Sequence, residues 1–311
     1  MGIGIPEGIT HRYFLMTMHQ ETEGMQYIVF TDESYITAER YRSIGAFSLP
    51  KEHYRKLDSK LREMLNDLGI NEFKWSELRT EKYTCCAERI LDYTLGVLFS
   101  KEIRIDVLTW DTWDSRHSIQ GRDDTANFER MFFHLLKFVI TKREKESSWF
   151  IYPDERLEIN WRIIKECLNN VGKWIQLYNY PLFGDIFSKE NFKIKEFQPI
   201  KSIEFPCCHI SDFFAGLSVF SINNYSKYKH WVLINDLQFD MFGVQKNYHF
   251  SSSENYRFKI LNKLIRLCKH QRLGVSFDTN GRLATPDPAN PINFWYYKPQ
   301  RENDKAPIKE K

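Results

Sequence analysis

Long apolar runs are missing from this chain. None of about 18 apolar residues occurs in its 311, so no membrane-spanning helix is expected. A basic-then-apolar leader is missing too. The chain starts MGIGIPEGITHRY, which predicts no secretory signal, and Pro6 stands where a myristoylation pattern wants Ser or Thr. CxxC pairs are absent. Two of the cysteine pairs are adjacent, Cys85-Cys86 and Cys207-Cys208, spacings that suit zinc poorly. With Cys167 and Cys268 they read as reduced thiols packed in a cytoplasmic protein. There is no P-loop and no glycine-rich cradle for phosphates, which counts against kinase-like chemistry. An excess of one charge is lacking as well: 44 basic against 41 acidic residues leave +3, so partners must be argued from local charge.

What the chain does have is apolar and aromatic mass. Hydrophobic residues make up 42% and aromatics 15%, enough for a packed core rather than disorder. Apolar strand-length runs are expected at Gln26–Thr31, Arg42–Leu49, Ile103–Thr109, Trp149–Tyr152 and within Phe197–Phe205. Apolar residues at 3–4 residue spacing predict helices over Lys51–Leu68, Tyr83–Ser100, Ala126–Lys145, Leu157–Asn170, Cys208–Phe220 and Tyr256–Arg272. Asn280-Gly281 marks a hairpin, and Phe294–Tyr297 a last strand. Alternating strands and helices argue for an α/β sandwich on a mixed sheet. The pattern changes past residue 221. The expected organisation is one domain over 1–222 and a C-terminal subdomain over 223–311, with a basic amphipathic helix and a charged tail.

Three acids stand out by context. YIVFTDES (Tyr27–Ser34) and WFIYPDE (Trp149–Glu155) are apolar strands that end in carboxylates, at Asp32 and Asp154. HISDFFAGLSVF (His209–Phe220) is an apolar helix with a single acid, Asp212, in its first turn. Strand tips present polar groups without burying charge in the core. Our reading is that the three converge on two divalent ions, Mg2+ or Mn2+, with Asp32 as the bridge. Such a pair activates water and stabilises the leaving oxygen in phosphodiester cleavage.

The same stretches resemble the domain of unknown function 3800 family. Asp32-Glu33-Ser34 matches a first strand ending in Asp-Glu-Ser, and Asp154-Glu155 a later strand ending in Asp-Glu. His209-Ile210-Ser211-Asp212, followed by Ala215-Gly216, matches a helix opening with a Gln-Leu-Ala-Asp-like pattern and then small residues. The resemblance covers roughly residues 26–222. It implies a ribonuclease-H-like mixed sheet flanked by helices, here with an α-helical and irregular C-terminal extension, and a metal-dependent nuclease or a relative of one. Two positions depart from the family pattern: Tyr35 replaces a Gly and His209 a Gln.

Secondary candidates are Glu33, Glu155 and His209 as supporting or substrate-contacting groups, each with a plain surface or cap reading beside it. Lys74, in Phe73-Lys74-Trp75-Ser76, can approach a phosphate; family members often carry a Lys here. Lys259, Lys263 and Arg266 fall largely on one helix face and can track a nucleic-acid backbone, or form an ordinary solvated face. Tyr225, Tyr228 and Trp231 interleave with Lys227 and Lys229, which suits base stacking or a core-edge cluster equally. The leading expectation is a nuclease acting on RNA or DNA. The alternative is a nucleic-acid-binding or partner-binding module that has lost catalysis, and a weaker third is a hydrolase of small phosphate esters.

Overall fold

The protein is described from a computed structural model over residues 24–34, 40–98, 102–114, 123–143, 146–177, 192–236 and 249–298. Tyr35, the leader and the tail lie outside these residues.

A first strand, β1 (Gln26–Ser34), is buried along nearly its whole length. It pairs antiparallel with β2 (Tyr41–Pro50), which pairs antiparallel with β3 (Arg104–Asp111). On its other side β1 pairs parallel with β4 (Ser147–Pro153), which pairs parallel with β5 (Phe192–Phe197). A late strand, β8 (Ile292–Tyr296), adds parallel to β3. The six-stranded order is β5-β4-β1-β2-β3-β8, so β1 is interior. A short hairpin, β6 (Ser276–Phe277) with β7 (Leu283–Ala284), precedes β8 around the expected Asn280-Gly281 turn.

Among the described residues six α-helices flank the sheet: α1 (Tyr54–Asp67), α2 (Glu81–Val97), α3 (Asp124–Thr141), α4 (Trp161–Leu177), α5 (Pro206–Asp236) and α6 (Ser252–His270). Period-two alternation sorts β1 between two cores. Ile28 and Phe30 join the residues of α1, α2, α5 and α6; Tyr27 and Val29 join those of α3 and α4. The expected mixed sheet flanked by helices is therefore the observed α/β fold. Asp123 caps α3, its carboxylate accepting from Ala126 N at 2.8 Å.

Three expectations need correction. The fifth strand lies at Phe192–Phe197, ahead of the stretch expected to hold it. Pro199 cannot donate to a ladder, and the chain turns into a 3-10 segment at Ser202–Glu204. The lysine-bearing FKIKEF takes the sheet edge instead. The boundary at 222/223 falls inside α5, and β8 returns to the main sheet. Phe258, Ile260 and Leu261 of α6 share one core with Phe30 and Phe47, so the C-terminal region is part of the same packed body. Asp106, whose place mid-strand in Ile103–Thr109 predicts a surface-facing sheet residue, is instead fully buried and paired with Arg104 at 3.1 Å.

Candidate metal centre

Because Ile28 and Phe30 face α5, Asp32 emerges on that side of β1 and Glu33 on the other. Asp154 comes directly beside Asp32: Thr31 pairs with Pro153, and Asp154 N donates to Thr31 O at 2.8 Å. The third acid arrives on α5, whose buried half is apolar apart from His209 and the small and hydroxyl residues that touch the sheet. Ser211 Oγ donates to Phe30 O (3.0 Å), Ser43 Oγ to Ala215 O (2.7 Å), and Ser218 pairs with Thr109 (2.8 Å). These contacts step from β1 to β2 to β3, so α5 crosses the sheet diagonally with its first turns over the tip of β1. Gly45, opposite Asp32 on β2, permits the approach: a Cβ there would lie 2.2 Å from Ser211 O.

Backbone amides hold two of the acids. Trp75 N donates to Asp212 Oδ2 at 2.6 Å, and Ser202 N to Asp154 Oδ1 at 2.9 Å. Ser202 Oγ also donates to Glu72 Oε1 (2.6 Å), and Glu72 pairs with Lys74 at 3.3 Å. Asp32 Oδ1 accepts from the adjacent Glu33 N at 2.7 Å. Gly216, one turn after Asp212, makes room for the Trp75 ring, since a Cβ there would lie 2.1 Å from it.

The electrostatics follow from crowding acids under a helix. Burial, then the charges of Asp212, Glu33 and Asp154, hold the Asp32 carboxyl well above the usual range. Burial pushes Asp212 up to about 7 against the Trp75 hydrogen bond, and raises Asp154 as well. Lys74, half-exposed, acts on Asp32, Asp154 and Asp212 from the rim. A buried cluster of this kind is stabilised by a cation, and its all-oxygen donor set suits a hard divalent ion. Among the described residues, Glu52, His53 and Glu102 bring their ligand atoms within 4.8 Å of one another; the three aspartates do not gather so tightly.

Two proteins of Methanothermobacter thermautotrophicus resemble this chain over almost their full length. "Uncharacterized protein ORF2'" is 38% identical over 294 residues, covering 90% of this chain and 97% of that protein. "Uncharacterized protein ORF2" is 36% identical over 295 residues, covering 92% and 99%. The chain belongs to this ORF2 family. No family model matches it. Nine-tenths of the chain exceeds residues 1–222, so the ORF2 relatives share part of the C-terminal region too.

The remaining expected residues scatter. Glu33 lies on the far face of the sheet, bonded to Arg156 at 2.7 Å; burial pushes it up to about 7 even so. Its other oxygen is buried without a hydrogen-bond partner. Glu155 is exposed and lines a depression of about 380 Å³ with Tyr152, Glu196 and Lys201. His209 is buried, neither a cap nor a surface group, and neither ring nitrogen makes a hydrogen bond of good geometry; burial pushes it down to about 4. Lys259 and Lys263 do not stand free for phosphate: they pair with Glu88 (3.0 Å) and Asp92 (2.7 Å) of α2. Arg266 is exposed. Tyr228 and Trp231 stack at 6.4 Å and pack on Phe258, a core-edge cluster. Sequence reasoning missed Glu72, Ser202 and the Trp75 amide. Backbone donors leave no residue signature, though the small residues after Asp212 hinted that something packs there.

Proposed function

We propose that this protein is a metal-dependent nuclease whose Asp32, Asp154 and Asp212 hold two Mg2+ or Mn2+ ions. The juxtaposition of these three carboxylates on one side of β1 carries the reading. The mixed sheet flanked by helices, antiparallel over β1-β2-β3 and parallel over β1-β4-β5, is in keeping with the ribonuclease-H-like expectation. When bound, the ions supply activation of a water and neutralisation of charge on the phosphate. The chain's own groups do the rest. Trp75 N and Ser202 N fix the orientation of two carboxylates, and Lys74 offers an ammonium to a phosphate at the rim. A nucleic acid is the substrate class in this reading, and the cytoplasm its place of action.

Incubation of full-length protein with single- and double-stranded RNA and DNA, with Mg2+ or Mn2+, tests it. Cleavage should require metal and fall at least about a hundredfold in Asp32→Asn and in Asp212→Asn, both folded by circular dichroism. Unchanged cleavage in either variant overturns the assignment. Salt-sensitive binding without cleavage under every metal would favour a binding module instead.

A further inference from the structure

The structure assigns Arg257, on α6, as a positioning residue for Asp212, acting through the Trp75 residue. This inference rests on the metal-centre reading and adds to it a role for the C-terminal helix.

Both ends of Trp75 are held. Its N–H donates to Asp212 Oδ2 at 2.6 Å, and its carbonyl accepts from Leu78 N at 3.1 Å and from Arg257 Nη2 at 3.3 Å. The same Nη2 donates to Ser76 O at 3.2 Å. The guanidinium also lies 5.4 Å from the centroid of the Trp75 ring and 5.8 Å from that of Phe220. The indole is 1% exposed, seated over Gly216 and edge-on to Phe220 at 5.7 Å. Arg257 therefore clamps a 3-10 turn whose first amide is the donor to Asp212. A planar, forked cation stacked on a ring and bonded to two carbonyls is not reproduced by an ammonium. α6 itself is fixed by its Ser251–Glu254 capping box, by buried Phe258 and by the Lys259 and Lys263 pairs with α2. Displacing the Trp75 residue, whose ring and carbonyl Arg257 holds, would carry its N–H off Asp212, and metal ligands that lose such supporting bonds typically lose ~10–100-fold in metal affinity.

The test compares full-length wild type, Arg257→Ala, Arg257→Lys, Asp212→Asn and, as a control within α6, Ile260→Val. Two readouts are taken: residue-resolved amide exchange at Trp75 without metal, and Mn2+ affinity from the electron paramagnetic resonance of free Mn2+. Arg257→Ala should speed Trp75 exchange and weaken Mn2+ binding, each by about tenfold or more. Arg257→Lys should restore neither fully, and Ile260→Val should change neither. Wild-type exchange at Trp75 in both Arg257 variants, with Mn2+ uptake intact, overturns the inference alone. A wild type that takes up no Mn2+, or an Asp212→Asn variant that binds it equally well, overturns the metal reading and the inference with it.

Discussion

Gly45 and Gly216 decide how close α5 and Trp75 come to the acids. An alanine at 45 would drive a methyl into Ser211 O at 2.2 Å, backbone that cannot step aside. Gly45→Ala should cost about 1–3 kcal/mol in urea unfolding. Gly96, exposed in α2 with open space around it, makes the comparison: Gly96→Ala should stabilise by about 0.5–1 kcal/mol. The carboxyls set a pH dependence. Asp32, Asp212 and Glu33 keep their protons to higher pH in the folded chain than in the unfolded one. Between about 4, the ordinary carboxyl value, and about 7, the folded state binds more protons, so raising pH through that window destabilises the metal-free protein. His209 works oppositely. Its value near 4 when folded lies below its unfolded value of ~6.5, so it adds stability as pH rises between them. Burial pushes His134 down to about 4 as well, and Asp154 is raised with the other acids; four carboxyls against two imidazoles leave a net fall, visible as a metal-free Tm lower at pH 7.5 than at pH 5. Divalent ions bind the charged carboxylates, so Mn2+ should raise Tm more at pH 7.5 than at pH 5. A metal-free Tm that climbs steadily from pH 5 to 7.5 would contradict this assignment.

At the scale of elements, apolar strands ending in acid were legible because period-two burial and a polar tip are local properties of YIVFTDES and WFIYPDE. Asp212 was legible as the lone acid in an apolar helix. The placement of β5 was misread because an apolar run drew attention away from FKIKEF, a short edge strand whose lysines mask it. The domain division was misread for a different reason. Asn223–Lys229 turns polar where α5 leaves the sheet, although the helix itself runs on to Asp236. A composition shift marks a change of surroundings, which need not be a chain boundary. The α6 lysines stay open between a phosphate face and a solvated one in the sequence because periodicity shows that they share a side and not what lies opposite. Glu88 and Asp92, four apart on α2 as Lys259 and Lys263 are on α6, were the available clue. With α6 and β8 built into the core, a chain ending at residue 222 should not fold cooperatively. It should give no sharp thermal transition by circular dichroism, and a sharp transition near the full-length Tm would restore the division into two domains.

Across the whole molecule, the fold delivers one tip of an interior strand, its parallel neighbour and a buried helix to the same place. Lys74, itself paired with Glu72, acts on the three aspartates from the rim, while Lys259 and Lys263 pair with α2. Lys74→Ala should therefore weaken nucleic-acid cleavage about tenfold or more while leaving Mn2+ uptake in place. Lys263→Ala should do neither. Among the described residues no helix is long and apolar enough to cross a membrane. Whether Asp32 bridges two divalent ions can be read from anomalous scattering by crystals soaked in Mn2+. Two peaks about 3.5–4 Å apart are expected, both within ligand reach of Asp32, one beside Asp154 and the other beside Asp212. Crystals of the same soaked protein with no peak in reach of any of the three aspartates would contradict this bridging role.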